Sequence, residues 1–362
     1  MRFPEFSGEW EKFRNDSLFN VVSEKNKGKQ ITSVLSASQT DGMVSRDSLG
    51  IDIKFEEDSI KNYKIVREGD YVIHLRSFQG GFAFSDRVGV CSPAYTILRP
   101  TQQISYGFLK PFFMSNKFID SLRLVTYGIR DGKSISVEEW LKLNTNLPSV
   151  EEQKKISIFL SLLDDRIATQ NKIIEDLKKL KSAISKTILI GNKFECRLTT
   201  LGEVADIYQP QTIPTSWLCE KNEYDVYGAN GIIGKYSKYN HETSQICIAC
   251  RGNSCGAVNY STPKSWITGN AMVINTDGKD VDKRYLYHLF CTINFTPLIS
   301  GSGQPQIVRS PLEKMKIRLP NLPIQRNISK VLDDIESKVE IEEEICKRFI
   351  KQKSGLLSQM FI

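Results

Sequence analysis

Two stretches decide the architecture of this chain: NLPSVEEQKKISIFLSLLDDRI, residues 146–167, and RLPNLPIQRNISKVLDDIESKV, residues 318–339. They align without a gap at a constant offset of 172 residues, the difference between 146 and 318. Among the identical positions are Leu147 and Leu319, Pro148 and Pro320, Gln153 and Gln325, Ile156 and Ile328, and Leu160 and Leu332. A long internal repeat of this kind predicts two copies of one structural unit.

Both copies continue as amphipathic helices of about 40 residues whose apolar residues alternate four and three apart, the spacing of a coiled-coil seam. The predicted seam consists of Ile156, Leu160, Leu163, Ile167, Ile174 and Leu177 in the first helix and Ile328, Leu332, Ile335, Val339, Phe349 and Leu356 in the second. Its polar exceptions are equivalent, namely Gln170 and Lys181 in the first helix and Glu342 and Lys353 in the second. Matching interruptions predict that the helices pair, although two independent surface helices are the alternative.

Start signals support both helices. Ser149 with Glu152 predicts a capping box, and Asn321 predicts an N-cap with Pro323 in the first turn that follows.

The repeat extends more weakly upstream of the helices. Ile135 matches Ile307 at the same offset, and DYVIHLRSFQGG (70–81) aligns with QICIACRGNSCG (245–256), which pairs Arg76 with Arg251. Short apolar runs broken by Gly, Asn, Asp and Ser predict the strands of a mixed domain, with shorter helices near 107–124 and 282–296. We therefore predict an α+β fold with a pseudo-twofold internal repeat: two similar α/β domains separated by two long antiparallel coiled-coil helices. The predicted division is domain 1–146, helix 147–191, domain 192–319 and helix 320–362.

Composition is that of a folded protein with room for two domains, since the 362 residues are 40% hydrophobic. No apolar run is long enough to cross a membrane and the opening residues do not form a signal peptide, so we expect a cytoplasmic protein. The formal net charge is +7, from 49 Lys and Arg against 42 Asp and Glu. This mildly basic balance is compatible with nucleic acid but does not identify it.

The sequence offers little catalytic chemistry. Cys247, Cys250 and Cys255 with His241 suggest zinc, but the lone CxxC lies inside the apolar run QICIAC, so core packing is favoured and no metal site is predicted. GIRDGKS (128–134) has one residue too few for a phosphate loop, and neither a GxGxxG fingerprint nor an adenine-methylation loop occurs. We predict that the chain itself is not an enzyme and has no catalytic residues.

Glycine-rich loops at matching places in the two domains carry side chains suited to DNA. Arg, Asn and Gln can recognise base edges with paired hydrogen bonds, while Lys and Ser more often contact phosphate. The predicted DNA-binding residues are Arg76, Ser77, Gln79, Arg130, Lys133 and Ser134 in the first domain and Lys235, Tyr236, Arg251, Asn253, Ser254, Ser302, Gln304, Gln306 and Arg309 in the second. Ordinary polar loop composition is the alternative for any single member.

Several of these strings resemble the specificity subunit of type I restriction-modification systems. They are RFPEFSGEWEKF (2–13), LPSVEEQKKI (147–156), YGANGIIGKY (227–236), CRGNSCGAV (250–258), SGSGQPQIVRS (300–310) and LPNLPIQRNI (319–328). Their order covers nearly the whole chain. The loop GIRDGKS departs from the family pattern, which SGSGQPQ follows more closely.

The resemblance implies two target-recognition domains that read the halves of a bipartite, asymmetric DNA target. It also implies that the helices fix the gap and dock two methyltransferase subunits, which restriction and translocase subunits then join. S-adenosylmethionine, ATP and Mg²⁺ would belong to those partners, and this chain would hold no cofactor. Two other classes remain as alternatives: a non-enzymatic coiled-coil adaptor protein and a self-sufficient methyltransferase.

Overall fold

The computed structural model describes residues 2–28, 30–38, 40–46, 57–128, 133–191, 194–301 and 303–361. The chain divides into two compact units, unit 1 with Met1–Thr169 and Lys347–Ile362, and unit 2 with Gln170–Cys346. Each unit combines a mixed α/β domain with segments of both long helices.

Unit 1 is built around a four-stranded antiparallel sheet with the strand order β2-β9-β6-β7. The strands of the unit are β1 (Glu11–Arg14), β2 (Phe19–Val22), β3 (Leu35–Ser38), β4 (Gly42–Ser45), β5 (Lys64–Val66), β6 (Tyr71–Ile73), β7 (Ala83–Phe84), β8 (Gly89–Cys91), β9 (Thr96–Pro100), β10 (Thr126–Tyr127), β11 (Ser134–Ile135) and β12 (Asn144–Leu147). Its short helices are α1 (Asn15–Leu18), α2 (Ser77–Gly80), α3 (Lys110–Phe113), α4 (Asn116–Ser121) and α5 (Val137–Lys142).

An aromatic core holds the sheet of unit 1 against its helices. Phe19, Phe82, Phe113 and Trp140 are buried, and the rings of Phe82 and Trp140 lie 4.9 Å apart in an edge-to-face arrangement. Such ring pairs add stability beyond the area that they bury. The helix predicted over 107–124 is interrupted: α3 and α4 are separate, and the turn Leu122–Val125 is a 3-10 helix.

Unit 2 repeats this plan. Its strands are β13 (Arg197–Thr200), β14 (Asp206–Tyr208), β15 (Tyr224–Gly228), β16 (Gly231–Tyr236), β17 (Ile246–Ala249), β18 (Val258–Tyr260), β19 (Trp266–Ile267), β20 (Ala271–Asn275) and β21 (Lys316–Leu319). Its short helices are α7 (Leu201–Val204), α8 (Lys283–Phe290) and α9 (Arg309–Glu313). The four-stranded antiparallel sheet has the order β14-β20-β17-β18, and a second sheet has the order β16-β15-β19.

The two sheets share one topology, which confirms the predicted repeat. β2, β9, β6 and β7 of unit 1 stand in the same order as β14, β20, β17 and β18 of unit 2. A two-stranded ribbon also recurs, because β1 pairs with β12 in unit 1 and β13 pairs with β21 in unit 2. The strands that immediately precede the long helices, β12 and β21, begin at Asn144 and Lys316, which are 172 residues apart.

The long helices are α6 (Val150–Ser185), which continues into a π-helical turn at Lys186–Ile190, and α10 (Leu322–Met360). Every predicted seam residue on them is buried or half-buried. Both predicted caps form, since the Ser149 hydroxyl accepts from the Glu152 backbone N–H and Asn321 Oδ1 accepts from that of Ile324 at 3.1 Å. The second half of the Ser149 capping box is wrong: the Glu152 carboxylate instead accepts from Arg2 Nε and Nη2 at 2.8 and 2.6 Å.

Residues at the polar seam positions make contacts between the two helices. In unit 2, Gln170 Nε2 donates to the Glu342 carbonyl at 3.2 Å and also to its carboxylate, and Lys181 Nζ lies 2.9 Å from Glu336 Oε1. In unit 1, Lys353 forms an ion pair with Asp164.

These contacts confirm the antiparallel pairing, because residue numbers fall along α10 as they rise along α6. The two ion pairs are also equivalent: Lys353 stands 172 residues after Lys181, and Glu336 stands 172 residues after Asp164. Among the described residues, no helix is both long and apolar enough to span a membrane.

Candidate nucleic-acid interface

Two loops of unit 2 that are distant in the sequence meet at the end of β17. Arg251, which follows β17, forms an isolated antiparallel bridge with Gln306, which precedes α9. The backbone N–H of Gly252 donates to the Pro305 carbonyl at 3.0 Å, and that of Ile307 donates to the Cys250 carbonyl at 3.1 Å. The structure therefore brings two of the predicted DNA-binding groups together on one surface.

The side chains of this surface are available to a ligand. Arg251, Asn253, Gln304, Gln306 and Arg309 are exposed, and Ser254 is half-buried. Arg309 Nε donates to Glu313 Oε1 at 2.7 Å, an exposed pair that water weakens. A surface with two guanidinium groups and three amides presents the donors and acceptors that base edges and phosphates require.

The same two kinds of loop approach each other in unit 1. Arg76 and Gln79, which follow β6, are exposed, as are Lys133 and Ser134. Helix α2 contains Gln79 and packs against β11, which begins at Ser134. The loop depends on Gly81, because its φ is +72° and a Cβ there would lie 2.0 Å from the Phe113 carbonyl oxygen.

Ser77 has a different environment from its neighbours in the predicted set. It is buried, and its hydroxyl donates to the His74 carbonyl at 2.8 Å and accepts from the His74 N–H at 2.6 Å. These bonds close the turn that presents Arg76. We therefore correct its expected part from a direct DNA contact to support of the loop.

Lys235 and Tyr236 lie on strand β16, where the sequence suggested a turn. Lys235 Nζ is 3.9 Å from Asp225 Oδ1, and the Tyr236 ring stacks on Trp217 at 6.0 Å and meets Trp266 edge-on at 5.4 Å. The sheet that carries them, β16-β15-β19, is separate from the one that carries the Arg251 loop. Of the remaining predicted residues, Arg130 and Ser302 lie outside the described part of the chain.

Exposed apolar side chains, which the sequence pattern did not predict, also flank these loops. Leu75 is 66% exposed beside Arg76, and Ile232 and Ile233 are 54% and 49% exposed near the turn between β15 and β16. In the sequence, IHLR and GIIG look like ordinary strand interiors. In the structure, Ile232 and Ile233 lie on β16, an edge strand of its sheet, and both side chains are exposed.

Comparison with known proteins assigns this architecture. A family model described as the type I restriction modification DNA specificity domain matches residues 7–179 and again residues 195–348. The chain belongs to this family. The predicted resemblance and the fold class are confirmed, and the adaptor alternative is not favoured.

Individual relatives agree with the family model. A putative type I restriction enzyme specificity subunit of Haemophilus influenzae is 32% identical over 151 residues, 40% of this chain but only 38% of that protein. The type I restriction enzyme MjaVIII specificity subunit of Methanocaldococcus jannaschii is 24% identical over 358 residues, 85% of this chain and 82% of that protein. The crystal structure of a type I restriction-modification S subunit from M. genitalium is 14% identical and shares the fold with a TM-score of 0.68, covering 100% of this chain and 99% of that one.

Two of the cysteines that suggested zinc pack in the core of the second specificity domain. Cys247 and Cys250 are buried, and burial raises the pKa of the Cys247 thiol to about 12, so it remains protonated at neutral pH. His241 is already engaged, with Nε2 2.9 Å from the Tyr208 hydroxyl and Nδ1 2.6 Å from Asn240 Oδ1. Zinc needs thiolates and a free imidazole nitrogen, so these contacts favour the core-packing interpretation.

A charged cluster joins α8 of the second specificity domain to both long helices. Arg284 Nε donates to Asp333 Oδ1 at 2.7 Å and its Nη2 donates to Glu336 Oε2 at 2.6 Å, while Lys181 binds the other oxygen of Glu336. His288, Asp333 and Glu336 could in principle hold a cation. Two cationic side chains already balance the two carboxylates, so the cluster does not require an ion.

His288 makes this cluster sensitive to acid. Its ring is buried, Nε2 lies 2.7 Å from Asp333 Oδ1, and Arg284 and Lys181 are close. Burial, reinforced by the two cations, lowers the pKa of His288, whereas the Asp333 carboxylate opposes this shift. Burial likewise lowers the pKa of His74 and of His241.

We expect the melting temperature to fall by several degrees between pH 7.5 and pH 5.5. Because the folded-state pKa of His288 lies below the unfolded value, the unfolded chain takes up the proton first. The contribution of His288 is therefore complete above about pH 6.5 and is lost as the pH falls. Over this pH range, the melting temperature of His288→Gln should change less steeply with pH than that of the native chain. Parallel slopes would show that His288 does not contribute.

Proposed function

We propose that this chain is the DNA-reading subunit of a type I restriction-modification enzyme, acts in the cytoplasm, and recognises a bipartite, asymmetric target. Each specificity domain reads one half of the target. Membership of the specificity family supports this function, and the assembly of Arg251 and Gln306 into one exposed surface is the observation that carries it. The half-sites differ because the loops of the two domains differ in sequence.

The long helices offer docking surfaces for the modification subunits. On the part of α6 in unit 1, Ile158 and Leu162 are 62% and 61% exposed and lie one helical turn apart. On the part of α10 in unit 2, Val331 and Ile341 are also exposed. Large apolar side chains on one helix face often mark protein-binding surfaces. We propose that two methyltransferase subunits bind there and that restriction and translocase subunits join them.

The chemistry would then belong to these partners. S-adenosylmethionine for adenine methylation, and ATP with Mg²⁺ for translocation and cleavage, would bind the partner subunits. This chain would contribute target choice and geometry alone. Its polar loops suit that division of labour, since they supply hydrogen-bonding groups for bases and phosphates.

Mapping adenine methylation in the host tests this proposal. Cells with the native chain should methylate one bipartite motif, and deletion of the chain should abolish that methylation. We expect the double variant Arg251→Ala, Gln306→Ala to reduce methylation of the motif at least tenfold, because each paired contact to a base is worth about 1–3 kcal/mol.

A matched control separates recognition from folding. Lys279→Ala removes another cation of unit 2, one that pairs with Asp206, and should leave methylation unchanged. A duplex-binding series at rising salt should show steep loss of affinity for the native chain. Persistence of the bipartite motif after deletion of the chain would overturn the proposed function.

A further inference from the structure

Two glutamines occupy equivalent, buried positions at the start of the long helices. Gln153 on α6 and Gln325 on α10 are 172 residues apart, and both side chains are almost completely enclosed, at 1% and 2% exposure. A buried primary amide is costly unless its donors and its acceptor are all used. Their hydrogen bonds therefore indicate what they do.

Gln153 ties two other backbone segments of unit 1 to the start of α6. Its Nε2 donates to the Pro148 carbonyl at 3.0 Å and to the Gln103 carbonyl at 2.9 Å, and its Oε1 accepts from the Ser105 N–H at 2.8 Å. Pro148 belongs to the turn between β12 and α6. Gln103 and Ser105 belong to the loop that leads from β9 of the central sheet toward α3.

Gln325 repeats this arrangement in unit 2. Its Nε2 donates to the Pro320 carbonyl at 2.8 Å, and its Oε1 accepts from the Asp282 N–H at 2.9 Å. Asp282 lies in the loop that follows β20, the strand equivalent to β9, and its carboxylate caps α8 by accepting from the Tyr285 N–H at 2.7 Å. Each glutamine thus connects the first turn of a long helix to the loop that follows an equivalent strand of the central sheet, β9 in unit 1 and β20 in unit 2.

We propose that Gln153 and Gln325 are positioning residues that fix the orientation of each specificity domain on the long helix that follows it. The consequence, which rests on the proposed function, is that they restrict the gap between the half-sites. Among the described residues, the hydrogen bonds of both side chains run to other segments than the loops proposed to read DNA, so we expect their loss to affect spacing and to leave the choice of bases intact. When the amide hydrogen bonds hold the domain in one orientation, the protein binds targets with one spacing between the half-sites. A domain that can change its orientation on the helix would also bind targets with neighbouring spacings.

Gln153→Met in the full chain tests this inference, because methionine keeps the length of the side chain and the helix but removes all three hydrogen bonds. The control is Ile97→Val, a mild core change in the sheet of the same unit, where Ile97 is buried away from the junction. The readouts are the adenine methylation map of the host and the melting temperature of the purified protein.

For Gln153→Met we expect unchanged half-sites with methylation at gaps one base pair longer or shorter. The ratio of native-gap to neighbouring-gap methylation should fall at least tenfold, while Ile97→Val keeps the native ratio. Gln153→Glu keeps the acceptor for the Ser105 N–H but turns a carboxylate toward the Pro148 and Gln103 carbonyls, so it should broaden the gap at least as much as Gln153→Met. Gln325→Met should give the same broadening from the other unit, and supplies the comparison should Gln153→Met not accumulate as folded protein.

The results that overturn the inference are a lowered melting temperature with an unchanged gap ratio, and a loss of methylation at every gap without gain at the neighbours. Both mean that the glutamines only stabilise the fold. Failure of the proposed function is recognised separately, since the native chain would then direct no bipartite methylation before any variant is compared.

Discussion

Arg284→Ala is expected to lower the free energy of unfolding of unit 2 by about 3 kcal/mol. The guanidinium binds both Asp333 and Glu336, and it lies 4.5 Å from the ring centre of Tyr260 and 4.8 Å from that of Tyr287. Its removal leaves the partly buried carboxylates of Asp333 and Glu336 without the cation that binds both, while Lys181 still pairs with Glu336 alone. The loss of a charge partner at a partly buried site costs much more than the loss of a surface pair.

Thermal unfolding should detect this change as a fall in melting temperature of about 6–12 °C. Urea unfolding should detect it as a lower midpoint concentration. Arg284→Lys keeps the charge but not the forked geometry, and should lie between the alanine variant and the native chain. Lys179→Ala is the matched control, because Lys179 and Glu175 form an exposed pair on α6, and its effect should stay below about 0.5 kcal/mol. Equal effects of Arg284→Ala and Lys179→Ala would contradict the role given to the cluster.

Phe361→Ala is expected to cost unit 1 about 3 kcal/mol. The ring, which follows the last turn of α10, packs 6.0 Å from Trp10 and 5.5 Å from both Phe108 and Phe112. Its backbone carbonyl also accepts from Lys117 Nζ at 3.3 Å. Removing a buried ring leaves a cavity that the surrounding aromatic side chains cannot fill without moving.

Ser358→Ala near the same end of α10 is the control, since its hydroxyl is exposed and bonds to the Gly355 carbonyl within the helix. Tryptophan fluorescence during denaturation provides a local reading, because Trp10 contacts the altered ring directly. A midpoint for Phe361→Ala that matches that of Ser358→Ala would show that the end of α10 does not belong to the core of unit 1.

The long helices could be predicted from the sequence because their information is local and periodic. A seam repeats every three and four residues, and Leu160 and Leu332 prove as buried as the pattern requires. The caps at Ser149 and Asn321 could be predicted for the same reason, since a cap depends on residues within one turn. The capping box of α6 is nevertheless incomplete, because the Glu152 carboxylate forms a long-range ion pair with Arg2 instead of capping the helix.

The charged cluster of unit 2 could not be predicted in this way. Its members come from α6, α8 and α10, and no periodic pattern connects Lys181 with Arg284 or Asp333. Only the packing of α8 beside the helix pair brings their charges within bonding distance. Long-range ion pairs are set by tertiary geometry, which sequence spacing does not encode.

The candidate interface could be predicted from the sequence only in part. Composition and repetition located the Arg76 and Arg251 loops, but residue type could not distinguish a side chain that points outward from one that closes a turn. Ser77 shows the difference, since it is a polar residue near glycines whose hydroxyl bonds to the backbone of its own turn. The direction of a side chain in an irregular loop depends on backbone angles that neighbouring segments impose.

The equivalent ion pairs between α6 and α10 have an evolutionary consequence. Helix α6 carries both Asp164 and Lys181, and α10 carries both Glu336 and Lys353, so each helix contains an acid and a base with the same separation. Such a helix can form both bonds with an antiparallel copy of itself, because a twofold axis exchanges the two partners. A half-length ancestor could therefore have assembled as a homodimer with two identical domains, and gene duplication with fusion would have freed each half to diverge.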